Sequence, residues 1–327
     1  MGTDILSDVL RSVRLRGAIY FNVSGGRTWA AEAPPAREIA AAVIPGAEHV
    51  IEYHVVTHGA CWSAVVGEKP VRLEEGDVVL FPQGDAHVMS SAPGMRAPAD
   101  SAAFFGLPRE RRPFTINLDA QEGGEGDTTL VCGFLGCDLH PFNPLIATLP
   151  RLMRLRAGEG QDWIAQFLRQ LVEESRGRRP GGDAMLERMS EMMFIDAVRR
   201  YVDGLPEDSR GWLAGMRDRY VGRALALMHE KPAAAWTVDE LGRQVGLSRS
   251  ALHERFAEMI GQPPMQYLAN WRMQVGAALL RDTNATVASV AQDVGYESEA
   301  AFAKAFKRVV GKPPSAWRQQ AARPRMA

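Results

Sequence analysis

The sequence predicts an α+β chain of several domains: an N-terminal β-barrel or sandwich, a helical hairpin, and an all-α C-terminal domain with two helix-turn-helix units. Three observations predict it. A block at 236–268 recurs in altered form up to residue 318, as one supersecondary unit used twice would. Short Val-, Ile- and aromatic-rich segments separated by Gly and Pro fill the first 140 residues. From Pro144 onward the apolar period reads as helical.

Length and composition set the class. A chain of 327 residues has material for two cores. No apolar run approaches the ~18 residues that would cross a bilayer, and the N-terminus has no signal-peptide core, so no membrane partner is expected. Three cysteines, an odd number, argue against a disulfide scaffold and for a reducing cytoplasm. The formal net charge of −1 hides an asymmetry, because residues 217–327 carry 16 Lys/Arg against 10 Asp/Glu. A basic C-terminal part beside an acidic remainder suits phosphate contact by one domain only.

In chain order, Asp4 to Arg14 reads as a short amphipathic helix with Ile5, Val9 and Val13 in phase. Strands follow at Gly17–Val23, His49–Val56, Cys61–Val66, Val78–Phe81 and Thr129–Leu135, the signature of a small antiparallel barrel or sandwich. The stretch from Ser90 to Thr128 is rich in Pro, Gly and charge and reads as a loop, in which Arg109, Arg111 and Arg112 are candidates to grip an anion. Leu145, Leu149, Leu152 and Leu155 open the helical part. Helices at Trp163–Val172 and Met185–Val198, broken at Arg176–Gly182, make the hairpin. A linker at Val202–Arg210 leads to a helix over Asp218–Glu230.

The repeat comes next. Thr237, Val238, Val245 and Gly246 recur 49 positions on as Thr286, Val287, Val294 and Gly295. Ser248, Phe256, Gly261, Pro263 and Pro264 recur 50 positions on, the slip falling at Glu297 in the turn. In each copy a short amphipathic helix ends at a glycine, where the chain turns with φ > 0. A serine then caps a second helix whose outer face can lie in a major groove. Met265–Leu280 reads as one helix joining the units, able to hold the two recognition helices ~34 Å apart.

The C-terminal pattern resembles the DNA-binding domain of the AraC/XylS family of bacterial transcription regulators. The marks are Arg272, Ala277, Leu279 and Leu280 on the connecting helix, Val287 to Tyr296 in the second unit, and Phe302, Phe306, Lys307, Gly311, Lys312, Pro313, Pro314, Trp317 and Arg318 at its end. The family usually has Phe or Tyr where this chain has Leu247. Upstream, Gly76, Pro82, Gly84 and His87 fit the second cupin motif, G-x5-P-x-G-x2-H, and resemble the cupin-type effector domain that precedes the DNA-binding part in many AraC-like proteins. The resemblance implies an effector domain over 1–143, a helical linker and dimerisation region over 144–203, and a DNA-binding domain over 211–321.

Site candidates follow from the two resemblances. Carried over from the family, base-reading positions are Ser250, His253 and Glu254 on the first recognition helix, and Glu299, Ala300, Ala303 and Lys304 on the second. Arg249, Lys307, Arg308 and Lys312 are candidates for phosphate contact. For an effector in the barrel the candidates are His54, His58, Trp62 and His87. The first cupin metal motif is degraded; His54, His58, Cys61 and His87 make a candidate set for zinc or another divalent metal, although no cofactor is required. Cys61, Cys132 and Cys137 are candidates for a redox switch, against the plain reading of Cys132 as core.

The expectation is a cytoplasmic, homodimeric regulator, more an activator than a repressor by family habit, with double-stranded DNA, RNA polymerase and a small-molecule or redox effector as partners. A cysteine-based redox regulator is the alternative within this class. The competing class is a metal-dependent cupin enzyme with a DNA-binding tail, which the broken first motif disfavours; no catalytic residues are expected.

Overall fold

The structure is a computed structural model, and it describes residues 4–105, 113–118, 127–156, 163–176 and 179–322. The candidate arginines Arg109, Arg111 and Arg112 lie outside the described residues. The chain divides into two compact units, one of residues 15–138 with 149–203 and one of residues 1–14, 139–148 and 204–327. Among the described residues no helix is long and apolar enough to cross a membrane.

The first unit carries the sheets. β1 (Arg16–Gly25), β2 (Ala30–Ala33), helix α2 (Ala36–Val43), β3 (His49–His58), β4 (Ala60–Val65), β5 (Val71–Glu74), β6 (Val78–Phe81) and β7 (His87–Ser90) follow one another. β8 (Phe114–Asn117), β9 (Thr128–Cys137) and β10 (Met153–Leu155) complete it. Six strands form one sheet in the order β10-β6-β3-β9-β1-β8, and four form a second in the order β2-β7-β4-β5. Among the described residues all pairings are antiparallel except β1 with β8.

β3 is buried almost throughout because both of its faces are covered. One face turns to a core that includes Val50, Val56, Phe81, Leu130 and Phe134. The other meets helix α4 (Gly182–Asp203), where the Tyr53 hydroxyl and Ser190 Oγ lie 2.6 Å apart. Gly17 on β1 permits this approach, since a Cβ there would stand 2.6 Å from the Glu187 carbonyl oxygen. The helical hairpin of α3 (Trp163–Arg176) and α4 therefore covers its own sheet. Met189 and Met193 are buried on that face, whereas Met185 and Met192 are exposed.

Two expectations change here. The stretch read as a loop from Ser90 to Thr128 contains β8, a strand that owes its place to parallel pairing with β1, a long-range contact no local pattern reports. The leucines from 145 to 155 do not form a helix: Ile146–Thr148 is a single 3-10 turn and Met153–Leu155 is an edge strand on β6. Pro150 explains it, because the residue before a proline is driven out of the helical region.

The second unit is helical: α1 (Ile5–Ser12), α5 (Trp212–Arg217), α6 (Val221–Glu230), α7 (Val238–Val245), α8 (Arg249–Ile260), α9 (Pro264–Asp282), α10 (Val287–Asp293), α11 (Glu299–Val310) and α12 (Pro314–Ala322). The linear boundary at 143 does not coincide with these units. Segment 1–14 joins the helical one, where Gln274 donates to the Ser12 carbonyl at 2.9 Å and His229 Nδ1 lies 3.6 Å from Asp8. Segment 139–148 joins it too, through the Phe142 amide, which donates to Gln274 Oε1. Residues 149–203 stay with the sheets.

Candidate functional site

The two helix-turn-helix units are built as the duplicated residues require. Thr237 Oγ1 accepts from the Glu240 amide, and Thr286 repeats this with Ser289. Ser248 caps α8 by accepting from Ala251, and Ser298 caps α11 by accepting from Ala301, each at 3.2 Å. Gly246 and Gly295 both have φ above +80°, as the turn demands. Leu252 and Phe256 on α8, like Phe302 and Phe306 on α11, are fully buried, which leaves the opposite faces of both helices to solvent.

On those faces Arg249, Ser250, His253 and Glu254 are exposed on α8, and Glu299, Ala300, Lys304, Lys307 and Arg308 on α11. Ala303 is half-buried. Arg249 has an internal partner, Asp239, at 3.7 Å. Arg255, also on α8, is bound to Asp218, whose carboxylate in turn accepts from the amides that open α6; it is a structural residue. The neighbouring guanidinium holds the Asp218 carboxyl below its ordinary range despite burial.

A pair that motif reading left without a role is Arg272 and Arg318. Arg272 donates to the carbonyls of Pro232 and Ala234, just before the first unit. Arg318 donates to the carbonyls of Leu280 and Ala285, just before the second. Both follow a tryptophan, Trp271 and Trp317, so the signal is a repeated Trp-Arg. Each guanidinium thus anchors the entry into one unit.

In the sheet unit a cavity of about 740 Å³ opens among β1, β2, β3, β7, β8 and β9. Its walls are mostly apolar, with Phe21, Phe104, Phe114 and Phe134 prominent. One part of the wall is polar. Glu52 and His54 are two apart on β3 and so share a face, while Cys132 sits opposite His54 on β9. His87 arrives from β7 at the Pro82/Gly84 turn, and its Nε2 lies 2.7 Å from His54 Nε2 and 3.9 Å from Glu52 Oε2. Phe81 stacks on the His87 ring at 3.7 Å.

Burial keeps this cluster uncharged. Desolvation raises the Glu52 carboxyl well above its ordinary range. The same effect, with His87 adjoining, lowers His54 well below it. His87 is lowered to about 4 by burial, against the opposing pull of the Asp85 carbonyl. Glu32, also in the cavity wall, is a bidentate partner of Arg96 at 2.6 and 2.7 Å.

The remaining candidates separate. His58 is exposed beside Glu75, and neither it nor Trp62 is among the described residues that line the cavity. Cys61 is likewise absent from the described cavity lining, and only His54 and His87 of the four-residue metal set meet. Among the described residues no three His, Cys, Asp or Glu side chains group as a metal site. His54 Nε2 and His87 Nε2 are each engaged in the contact between the two rings.

None of the three cysteines forms a disulfide, and all are buried. Burial pushes the Cys61 and Cys137 thiols up to about 12 and raises Cys132 further, disfavouring the thiolate that oxidation needs. Cys132 is at once core and cavity wall.

Comparison with known proteins gives a consistent set of likenesses. Residues 4–203 match the family described as Cupin, and residues 241–320 that described as Helix-turn-helix domain. The chain is 31% identical over 323 residues to an AraC-like transcription regulator of Streptomyces lividans, covering 98% of this chain and 100% of that one. It is 26% identical over 320 residues to the HTH-type transcriptional regulator AlkR of Acinetobacter baylyi, covering 97% and 99%. Among solved structures, ToxT of Vibrio cholerae aligns over 96% of this chain and 100% of that one, at 10% identity and a TM-score of 0.36.

Proposed function

Because the chain belongs to the AraC-like transcription regulators, we infer that it is a sequence-specific DNA-binding regulator of transcription whose activity an effector in the sheet-unit cavity controls. The observation that carries the reading is the duplication in three dimensions: two capped helix-turn-helix units, each with an exposed recognition face and each anchored by its own Trp-Arg pair. The cavity supplies a place for the effector. An effector shifts a regulator only through unequal affinity for its states, so it must bind the DNA-competent arrangement more or less tightly than the other.

Within this reading Ser250, His253 and Glu254, with Glu299, Ala300, Ala303 and Lys304, face the bases. Arg249, Lys307, Arg308 and Lys312 face phosphates. α11 offers small residues at Ala300 and Ala303, so it contributes affinity and shape readout more than base discrimination. The protein acts in the cytoplasm as a homodimer, its exposed Met185 and Met192 marking the outer side of α4, and contacts RNA polymerase as an activator. It needs no resident metal, and elemental analysis of the purified protein checks that. The relatives' descriptions make catalysis no part of this proposal.

The test is a fluorescence-anisotropy titration of the full chain on its own upstream intergenic DNA. Exchanging Ser250 and His253 shifts the preferred sequence. Lys307→Ala or Arg308→Ala weakens all sequences alike and reduces the salt slope by about one. A uniform loss in the first experiment, with no change of preference, would defeat the assignment of α8 as the reading helix.

A further inference from the structure

The hydrogen bonds at the polar wall of the cavity define what it can accept. His87 Nδ1 lies 3.0 Å from the Asp85 carbonyl oxygen, which can only accept, so Nδ1 carries the proton. An uncharged His87 then has a bare Nε2. His54 Nε2, 2.7 Å away, must be the donor in the contact between the rings. An uncharged His54 is left with a bare Nδ1, and that atom is buried without a partner. Two further buried polar atoms in residues that line the cavity also lack one: Glu52 Oε1 and the indole Nε1 of Trp29. Leaving such groups unpaired is costly, and a ligand that pairs them gains by that amount.

Charge restricts the ligand further. No Lys or Arg is among the described residues that line the cavity, and its acids are Glu32, Glu52 and Asp100. An anionic head group would bring a charge into a mostly apolar space whose described lining offers no counter-ion, at a large desolvation penalty. A cationic head would meet Glu52, whose proton burial retains.

We propose that the cavity binds an uncharged, largely apolar molecule with one hydroxyl or amide group, whose hydrogen is donated to His54 Nδ1 and whose oxygen accepts from Trp29 Nε1 or the Glu52 carboxyl. The phenylalanines of the wall suit an aromatic or branched body beside that head. The proposal rests on the reading of the cavity as the effector site and adds the chemical class of the effector.

A matched trio of probes tests it: 4-butylphenol, butylbenzene and 4-butylbenzoate, titrated calorimetrically into the full chain at neutral pH. The phenol binds roughly tenfold tighter than the hydrocarbon, the worth of satisfying a buried acceptor, and the benzoate binds weakest. In His54→Phe the advantage of the phenol over the hydrocarbon disappears while the hydrocarbon's affinity holds. Tightest binding by the benzoate, binding by none of the three, or a phenol advantage that survives in His54→Phe would each overturn the proposal. If His54→Phe does not fold, the order of the trio on the unmodified chain still decides. DNA affinity measured alongside separates the two ideas. A phenol that binds without altering DNA affinity removes the effector reading and keeps the ligand class, whereas a benzoate that alters DNA affinity does the reverse.

Discussion

At the scale of single residues, the cavity cluster makes stability depend on pH in two opposing ways. Glu52 keeps its proton in the folded state, whereas the unfolded chain loses it above the ordinary value of 4.5. Its contribution therefore falls as pH rises, by about 1.4 kcal/mol per pH unit while the folded group stays protonated. His54 and His87 have the opposite sign. Below 6.5 the unfolded chain takes up protons that the folded one refuses, so stability is lost as pH falls, for His87 until about pH 4. Glu52→Gln should thus gain on the unmodified protein as pH rises from 5 toward 8, for as long as the folded carboxyl keeps its proton, while the acid-side loss remains in both. Urea melts across that range check it, and a constant difference would mean that Glu52 is ionised in the fold.

The cysteines belong to this scale as well. With the thiols buried and their acidity suppressed, labelling of the folded chain by a thiol reagent should be slow and should accelerate sharply in denaturant. Rapid native labelling of Cys132 would restore the redox reading.

At the scale of elements, the duplication supplies internal controls. Gly246 and Gly295 occupy equivalent turns, but a Cβ at Gly246 meets nothing within 4 Å, whereas at Gly295 it would lie 2.6 Å from the Ala233 carbonyl oxygen. Gly246→Ala should cost about 1 kcal/mol, the strain of a left-handed residue alone. Gly295→Ala should cost distinctly more, because backbone has to move. Chemical denaturation of the two variants compares them directly; equal costs would mean that the two turns are not held as described. Arg318→Ala should cost about 2 kcal/mol through two lost charge-assisted hydrogen bonds. Lys307→Ala, on the exposed face of α11, should leave stability unchanged while weakening DNA binding and reducing its salt dependence.

Much of this level was legible in the chain. The serine caps, turn glycines and buried phenylalanines follow local rules, so the repeat predicted both units. The Trp-Arg pairs were visible as a repeat, but their carbonyl partners stand some 33 to 40 positions away in the sequence. No period or cap signal reports such a partner.

At the scale of the whole molecule, the first fourteen residues are part of the helical unit. A chain lacking residues 1–14 should lose the Gln274–Ser12 bond and the Asp8–His229 contact, and its helical unit should unfold at lower temperature than in the full chain. Calorimetry distinguishes this from the linear division, in which the sheet unit alone would be weakened.

The sequence by itself determined the class of protein, the two capped helix-turn-helix units and the presence of a sheet domain whose turn delivers His87. These depend on periodicity, caps and turn chemistry, which act within a few residues. Only the tertiary structure decided which side chains meet inside the barrel. Glu52, one of the most consequential residues of the cavity, belongs to no H-x-H pattern, and His58 and Cys61, although near His54 in sequence, do not join it at the cavity wall. Strand register placed Cys132 opposite His54, and the β7 turn brought His87 to within hydrogen-bonding distance. The ionisation of these groups then follows from burial, which is a property of the assembled sheets and of no segment alone.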